Sequence, residues 1–597
     1  MTKGQKMPNL DLAVVGNCSY GALIDRRGRV VWCCLPHFDR DPAFCSLLAN
    51  DNATDGFFEI GLEGVERAEQ FYWRNSAVLE TRLFDGEGNA IAIVDFAPRF
   101  EQYDRVFRPS MLIRRVCPLA GNPRVCVRLR PRFDWGSGKP EVTRGSNHLR
   151  FVMPDRALRL TTDAPVSYVA EEVPFVLTRP IELVLGPDES LATSLPDLGR
   201  EFAERTDAYW RNWSRSLSVP LEWQEPVLRA AITLKLMAFE DTGAIIAAMT
   251  TSIPEAPNSG RNWDYRYCWP RDAFFVVTAL NRLGATQVME NYLEFIVNIV
   301  SAAADDGYLE PVYGILREVE LPESVIETLP GYRGMGPIRL GNEAAKQVQN
   351  DGYGSAVLAC AQIFFDQRLD RIGDEALFHL LEPLGEQAVR RWDKPDAGIW
   401  EYRKHEDVHT HSAMFCWAAC DRLALIARVL GLAAREQHWR EHADRIREGV
   451  LEKGWSEKKN SFVSAFGGHD VEASLLLMAH IGFISPDDPR YIATVEAIER
   501  DLRHGDYLYR YVHEDDFGRP ETAFTVCTLW YIEALAAIGR RDEARALFEK
   551  LLARRNHVGL LSEDLDIGSG ELWGNFPQTY SMVGLIRAAT LLSRPWE

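Results

Sequence analysis

The sequence predicts a two-part β and α protein. An N-terminal β-sandwich is expected over residues 1–200, a linker helix over 201–222, and an (α/α)6-barrel catalytic domain over 223–597. Three observations carry this reading. Short apolar or alternating runs recur between Gly, Pro, Asp and Asn in the first part. After residue 223 the chain reads as helix, and amphipathic helices alternate with helices that are apolar nearly all round. Several of the connections entering the apolar helices are long and chemically loaded, whereas those leaving them are short.

The strand-like runs include GALIDRRGRVVWCCL, DGFFEIGL, AVLETRLFD, AIAIVDFAPRF, RVCVRLRPRF and IELVLG. Their spacing suits two packed antiparallel sheets. The segment 31–39, VWCCLPHFD, reads as an aromatic plug between the two parts, with a reach toward a site as the alternative. FAERTDAYWRNW, from Phe202, is the amphipathic linker.

Twelve helices are expected beyond it. The amphipathic ones begin near Pro226, Thr286, Asp374, Ala433, Asp488 and Arg541. The apolar ones begin near Arg271, Asp351, Thr410, Asp470, Glu521 and Gln578. A helix with a charged face lies outside and one apolar on every side lies inside, so the alternation implies helical hairpins closing into a barrel. The long loops all precede inner helices, which gathers them at one end, where a pocket would open.

Composition narrows the function. The chain has 597 residues, with 46% hydrophobic and 26% charged, ordinary for a soluble globular protein too long for one simple core. A formal net charge of −19 argues against nucleic acid or an anionic membrane as partner and fits a small-molecule or oligosaccharide substrate. Oligomeric state stays open, a homo-oligomer included. The eleven Cys form no CxxC pair, so reduced thiols in the cytoplasm are the simplest reading. The N-terminal stretch offers neither a secretory core nor a membrane-spanning run.

The first loaded loop, residues 262–272, reads NWDYRYCWPRD and holds two each of Trp, Tyr, Arg and Asp. Flat aromatic faces stack on sugar rings, and Arg and Asp hydrogen-bond hydroxyls; a buried aromatic cluster with an internal ion pair is the bland alternative. Later loops carry GYRGMGPIRLGNEAAKQVQND, AGIWEYRK, SFVSAFGGHD, LYRYVHEDDFGRPE and LLSEDLDIGSGELWGNFPQ. Carboxylates with Arg and aromatics, and no metal constellation, point to glycoside hydrolysis by a proton donor and a water-activating base. Glu401 beside Trp400 is the candidate acid, because an apolar wall keeps a carboxyl protonated. Glu563, beside Asp564 and Asp566, has the more polar setting expected of a base. Each is also readable as a helix-terminal acid. No GxxxxGK[ST] or HExxH occurs, so no cofactor and no metal are expected, His409 and His411 notwithstanding. Cys268 has no adjacent His and reads as packing.

The ordered series NWDYRYCWPRDA, GYRGMGPIRLGNEAAKQVQND, GIWEYR, GLLSEDLD and GNFPQTYSMVGLI resembles glycoside hydrolase family 15, the glucoamylases, glucodextranases and bacterial trehalases. The resemblance covers nearly the whole chain. It implies a general acid at Glu401 and a general base at Glu563. It implies Arg271 and Asp272 on hydroxyls of the terminal glucose, Tyr265 and Trp269 as walls of the first subsite, Arg510 as a further sugar contact, and Trp400 flanking the acid. Where the fungal members carry a second acidic residue after the acid, this chain has Tyr402 and then Arg403. The implied activity is inverting, exo-acting release of β-glucose from trehalose or short α-glucans. A disaccharide phosphorylase and a non-catalytic sugar-binding protein are the rivals.

Overall fold

The computed structural model describes residues 9–49, 53–303 and 307–596. The N-terminal stretch read as lacking a secretory core, residues 1–20, lies outside them over residues 1–8. The N-terminal part is β-rich, as expected. One seven-stranded sheet runs in the order Leu12–Gly16, Gly21–Asp25, Val30–Cys34, Phe57–Leu62, Arg124–Arg130 and Phe175–Val176, with Pro42–Phe44 paired to Val30–Cys34. An eight-stranded sheet runs Glu141–Arg144, His148–Val152, Ala157–Thr162, Ile181–Pro187, Leu112–Ala120, Ala90–Phe96, Leu79–Asp85 and Val65–Tyr72. Ala90–Phe96 is buried along its whole length, including Asp95. That carboxylate is matched by Arg114 on the neighbouring strand, with Nε donating to Oδ1 over 2.7 Å. The same guanidinium donates to the Phe58 carbonyl of the first sheet over 2.8 Å and to the Gly28 carbonyl. This guanidinium thereby ties the two sheets together and pairs the buried Asp95 charge.

A short helix α1 (Val166–Glu171) is followed by α2 (Leu195–Arg215). The expected linker helix therefore starts earlier than residue 201, because Pro196 and Asp197 occupy its first turn, where both are favoured. Leu195, Leu198 and Ala203 cover Val94, Phe96, Ile113 and Val184 of the second sheet.

The C-terminal part is a helical bundle. It comprises α3 (Gln224–Leu236), α4 (Pro270–Arg282), α5 (Thr286–Ala302), α6 (Asp351–Phe365), α7 (Glu375–Arg391), α8 (Thr410–Val429), α9 (Ala433–Lys453), α10 (Leu477–His480), α11 (Pro489–Leu502), α12 (Thr525–Ala537), α13 (Arg541–Leu552) and α14 (Thr579–Leu592). In α9 the buried residues are Trp439, Ala443, Ile446 and Val450, one stripe at helical spacing. In α8 nearly every residue from Thr410 to Ala427 is buried. Helix α4 packs on α6, α6 on α8, α8 on the 3-10 turn Ala473–Leu476 that leads into α10, that turn on α12, α12 on α14, and α14 on α4.

The fourth apolar segment departs from expectation. It becomes helical only at residue 473 and ends at His480, instead of running from Asp470. Glu472 is extended, and its carboxylate is engaged by Trp400 and Ser474, which keeps the entering chain out of a helix. Gly482, at φ +79°, turns the chain away beyond it. The fifth starts at Thr525 because Ala523–Phe524 pairs with Asp564–Leu565.

Segment 31–39 packs as a plug. Trp32 donates its indole N–H to the Met249 carbonyl over 2.8 Å, and the His37 and Phe239 rings lie 5.0 Å apart. All eleven cysteines are thiols. Among the described residues, no helix is long and apolar enough to cross a membrane.

Candidate active site

Residues 262–272 fold into a pinned loop that ends in a helix start. Ala248 N–H donates to the Tyr265 carbonyl over 2.9 Å, and Cys268 exchanges both backbone bonds with Tyr313 at 2.9 Å. Asn262 ties the loop to the GYRGMGP segment by donating to the carbonyls of Met335 and Pro337, each over 2.9 Å. Pro270 opens α4 in its first turn, where no N–H is needed. Burial pushes the Cys268 thiol up to about 12, in keeping with a packing role.

The loop forms one wall of a pocket enclosing about 900 Å³, mouth included. Tyr265, Trp269, Arg271, Asp272, Trp400, Glu401 and Arg510 all line it. Glu563 is wholly buried and is reached through Tyr265, whose hydroxyl donates to its Oε1 over 2.7 Å. Its Oε2 accepts from the backbone N–H of Asn575 at 3.2 Å. The strands Asp564–Leu565 and Leu572–Trp573 pair directly beyond it and fix this approach.

Glu401 sits on a tight turn at φ +59°, a left-handed conformation that a side chain resists and that marks stored strain. Its Oε1 accepts from Trp269 Nε1 at 2.7 Å, Arg271 at 3.1 Å and Gln349 at 3.2 Å. None of the described hydrogen bonds reaches Oε2. The expected apolar wall is therefore corrected: donors surround Glu401, and the indole N–H of Trp400 turns instead to Glu472, 2.9 Å away. Trp400 contributes its ring, packed near Phe524 and Trp530.

The expected polar setting of Glu563 is also corrected. Burial holds its carboxyl well above the usual range, and the neighbouring charges of Glu255 and Asp564 add to the rise; the Tyr265 hydrogen bond opposes it. Asp566 is turned away, its carboxylate accepting from Gly568 and Ser569.

Arg271 spends Nη1 on Gln349 (2.7 Å) and Asp351 (3.2 Å) and Nη2 on Glu401. Its Nε, Asp272 Oδ1, Arg510 Nε and the Tyr580 hydroxyl are buried without hydrogen-bond partners, the first two facing each other as an ion pair at 3.6 Å. Orphaned buried polar groups call for a reason, and all four belong to pocket-lining residues. They offer two donors, one acceptor and one hydroxyl to a polyhydroxylated ligand. Burial raises the Asp272 carboxyl to about 7, against the favourable Arg271 charge and with Glu401 and Asp351 adding to the rise. Arg510 donates to Glu255 Oε2 over 2.5 Å.

Sequence reasoning missed Glu255, Gln349, Asp351 and Tyr580. Glu255 lies seven positions before Asn262, outside the stretch read as the first loop. The other three lie inside the motifs KQVQND and GNFPQTYS, but nothing in spacing marks Tyr580 as lining the pocket or Gln349 and Asp351 as partners of Arg271.

Convergent carboxylates, guanidiniums and aromatic faces in one pocket define a carbohydrate-processing site. The chain belongs to glycosyl hydrolases family 15, whose model matches residues 223–590. A trehalase-like N-terminal model matches residues 2–173. A trehalase of Thermoplasma volcanium is 32% identical over 588 residues, spanning 97% of this chain and 92% of its own. A trehalase of Mycobacterium tuberculosis is 31% identical, spanning 99% of this chain and 90% of its own. A bacterial glucoamylase solved with acarbose shares the fold, with a TM-score of 0.69 at 14% identity, covering 97% of this chain and 93% of that one. The protein is accordingly a glycoside hydrolase.

Proposed function

We propose that the protein is an inverting, exo-acting α-glucoside hydrolase that releases β-D-glucose from the non-reducing end of trehalose or a short α-glucan. Trehalose is favoured by the full-length relatives named trehalase. In this reading residues 1–200 form a β-sandwich domain, 201–222 a linker, and 223–597 a closed (α/α)6 barrel. The circular order in which α4, α6, α8, the 473–480 turn, α12 and α14 pack supports closure. The eleven thiols fit a reducing, cytoplasmic compartment.

One observation carries the mechanism. Tyr265 and Trp269, with ring centroids 5.6 Å apart, each donate a hydrogen bond to a different carboxylate, Tyr265 to Glu563 and Trp269 to Glu401. Two carboxyl groups thus flank one aromatic pair, as acid and base must flank a scissile bond. Glu401 protonates the glycosidic oxygen. Glu563 takes a proton from the water that attacks the anomeric carbon on the opposite face, and β-glucose leaves. Inverting pairs stand roughly 6.5–9.5 Å apart to admit that water. The orphaned groups of Arg271, Asp272, Arg510 and Tyr580 bind the hydroxyls of the glucose that is released.

The test is early-time NMR of glucose released from trehalose, maltose, isomaltose, kojibiose and maltotriose, with and without phosphate. From trehalose, β- and α-glucose in equal amounts support the reading, because the leaving glucose keeps its own α anomeric bond; α-glucose alone, or a sugar phosphate, overturns it. Roles are separated with α-glucosyl fluoride, whose leaving group needs no proton. Glu401→Gln retains turnover of the fluoride while losing trehalose, whereas Glu563→Gln loses both by roughly 10²–10⁴-fold.

A further inference from the structure

Four loop segments meet around the mouth of the pocket and are joined pairwise. Arg403 grips Glu323 with both ends of its guanidinium, at 3.0 and 2.7 Å. Arg339 donates to the same Glu323 over 2.7 Å. The backbone N–H of Arg403 donates to Asp516 over 2.7 Å. Arg261 closes the circuit with two bonds to Asp515, at 2.7 and 2.5 Å. Segments 261–263, 323–339, 401–404 and 513–518 therefore form a collar.

Arg403 is the residue common to all of it. Besides Glu323 and Asp516, its guanidinium carbon lies 4.6 Å from the Trp263 ring centroid and 5.8 Å from that of Phe517. Those two rings meet edge to face at 5.1 Å. Trp263, Arg403 and Phe517 are pocket-lining and half-buried, whereas Asp272 and Arg510, on the same wall as the orphaned groups, are buried. The pocket thus has a buried deep end and a partly solvated rim. The rim is tied to the Glu401 turn, because Arg403 follows Glu401 by two residues and both line the pocket.

We propose that Arg403 sets the length of the substrate. Its guanidinium, with the edges of Trp263 and Phe517, receives the sugar on the leaving side of the bond. Its bidentate grip on Glu323 closes the collar beyond that sugar, so that a disaccharide fits and a longer chain has no exit. This rests on the reading of Glu401 as the proton donor. A guanidinium held in a two-point fork is a rigid wall, which a Lys would not reproduce.

The experiment measures kcat/KM on trehalose, maltose, maltotriose and maltotetraose for the parent, Arg403→Ala and Glu323→Gln. The ratio of longer-chain to disaccharide turnover does not depend on the fraction of enzyme that is folded. Removing the guanidinium raises that ratio roughly tenfold or more, and it raises KM for the disaccharide more than it lowers kcat. Glu323→Gln keeps Arg403 but loosens its grip, so the ratio moves the same way by less. It carries the test alone if Arg403→Ala is inactive. An unchanged ratio in an active variant overturns the inference and leaves the hydrolase reading intact. Absence of glucose from every substrate with the parent enzyme overturns the hydrolase reading and this inference with it.

Discussion

The hydroxyl of Tyr265 lies 2.7 Å from Oε1 of Glu563, and the charges of both Glu563 and Glu401 act on that phenol. Tyr265 is therefore more than an aromatic wall. It is the donor that favours the ionised form of Glu563, and burial together with both carboxylates keeps its own proton in place well above the usual phenol range.

Tyr265→Phe tests this link. A hydrogen bond to a charged group contributes about 1.5–3 kcal/mol, so kcat/KM falls roughly ten- to a hundredfold. In the proposed mechanism Glu563 must be ionised to take a proton, and burial already holds its carboxyl high. Removing a bond that favours the anion raises it further, so the acidic limb of kcat/KM against pH moves to higher pH. A loss of activity with an unmoved limb would reduce Tyr265 to a packing role.

Glu255→Gln makes the opposite prediction. The Glu255 charge is, after burial, the largest cause raising Glu563. Its carboxylate also accepts from Arg510 and from Trp263 Nε1, the latter at 2.8 Å. A neutral Gln can still accept at this position, but it no longer opposes ionisation of Glu563. The acidic limb therefore moves to lower pH. A pH–rate profile of the variant beside Tyr265→Phe reads both signs in one experiment.

Helix periodicity was legible because burial imposes it directly. The starts expected at Thr286, Asp351, Thr410, Ala433 and Arg541 coincide with those observed. The segment after Asp470 was not, because a hydrogen bond from Trp400, 72 positions away in the chain, holds Glu472 extended. Within the site, Tyr265, Trp269, Arg271, Asp272, Trp400, Glu401 and Arg510 were legible as loop residues and converge on one pocket. What spacing could not supply was the partner of each polar atom. The settings of the two carboxylates were read from sequence neighbours, Trp400 for one and Asp564 and Asp566 for the other. Yet the groups that decide them, Gln349 for Glu401 and Tyr265 and Glu255 for Glu563, arrive from other loops.

Gly398→Ala probes the turn that presents Glu401. Gly398 has φ +67°, and an added Cβ would stand 2.8 Å from the His409 ring. That ring is anchored through Nδ1 to buried Asp396 at 2.8 Å, so it cannot yield freely. Gly431 is the control, with φ +73° and nothing within 4 Å of an added Cβ. Ala at either site bears the left-handed backbone cost of about 1–2 kcal/mol. Only Gly398→Ala also displaces the acid's turn. Both variants lower the thermal midpoint, but kcat falls, by roughly tenfold or more, in Gly398→Ala alone.

Glu182→Gln separates stability from catalysis. Glu182 lies in the second sheet under α2, with both carboxyl oxygens buried and without hydrogen-bond partners. Arg115 Nη1 stands 3.4 Å from Oε1, too little to offset burial, and the carboxyl is pushed up to about 8. The unfolded chain titrates near the ordinary glutamate value of about 4.3. Between these two values the folded protein holds a proton that the unfolded chain has released, so stability falls as pH rises through that window. Gln keeps the shape and removes the titration. Parent and variant therefore have similar thermal midpoints near the low end of the window, and the variant becomes the more stable as pH approaches and passes 8. Because Glu182 is remote from the pocket residues, kcat at a fixed pH is unchanged. Thermal midpoints across the pH range, measured alongside kcat, check both halves, and parallel melting curves at every pH would show that Glu182 is not the titrating group.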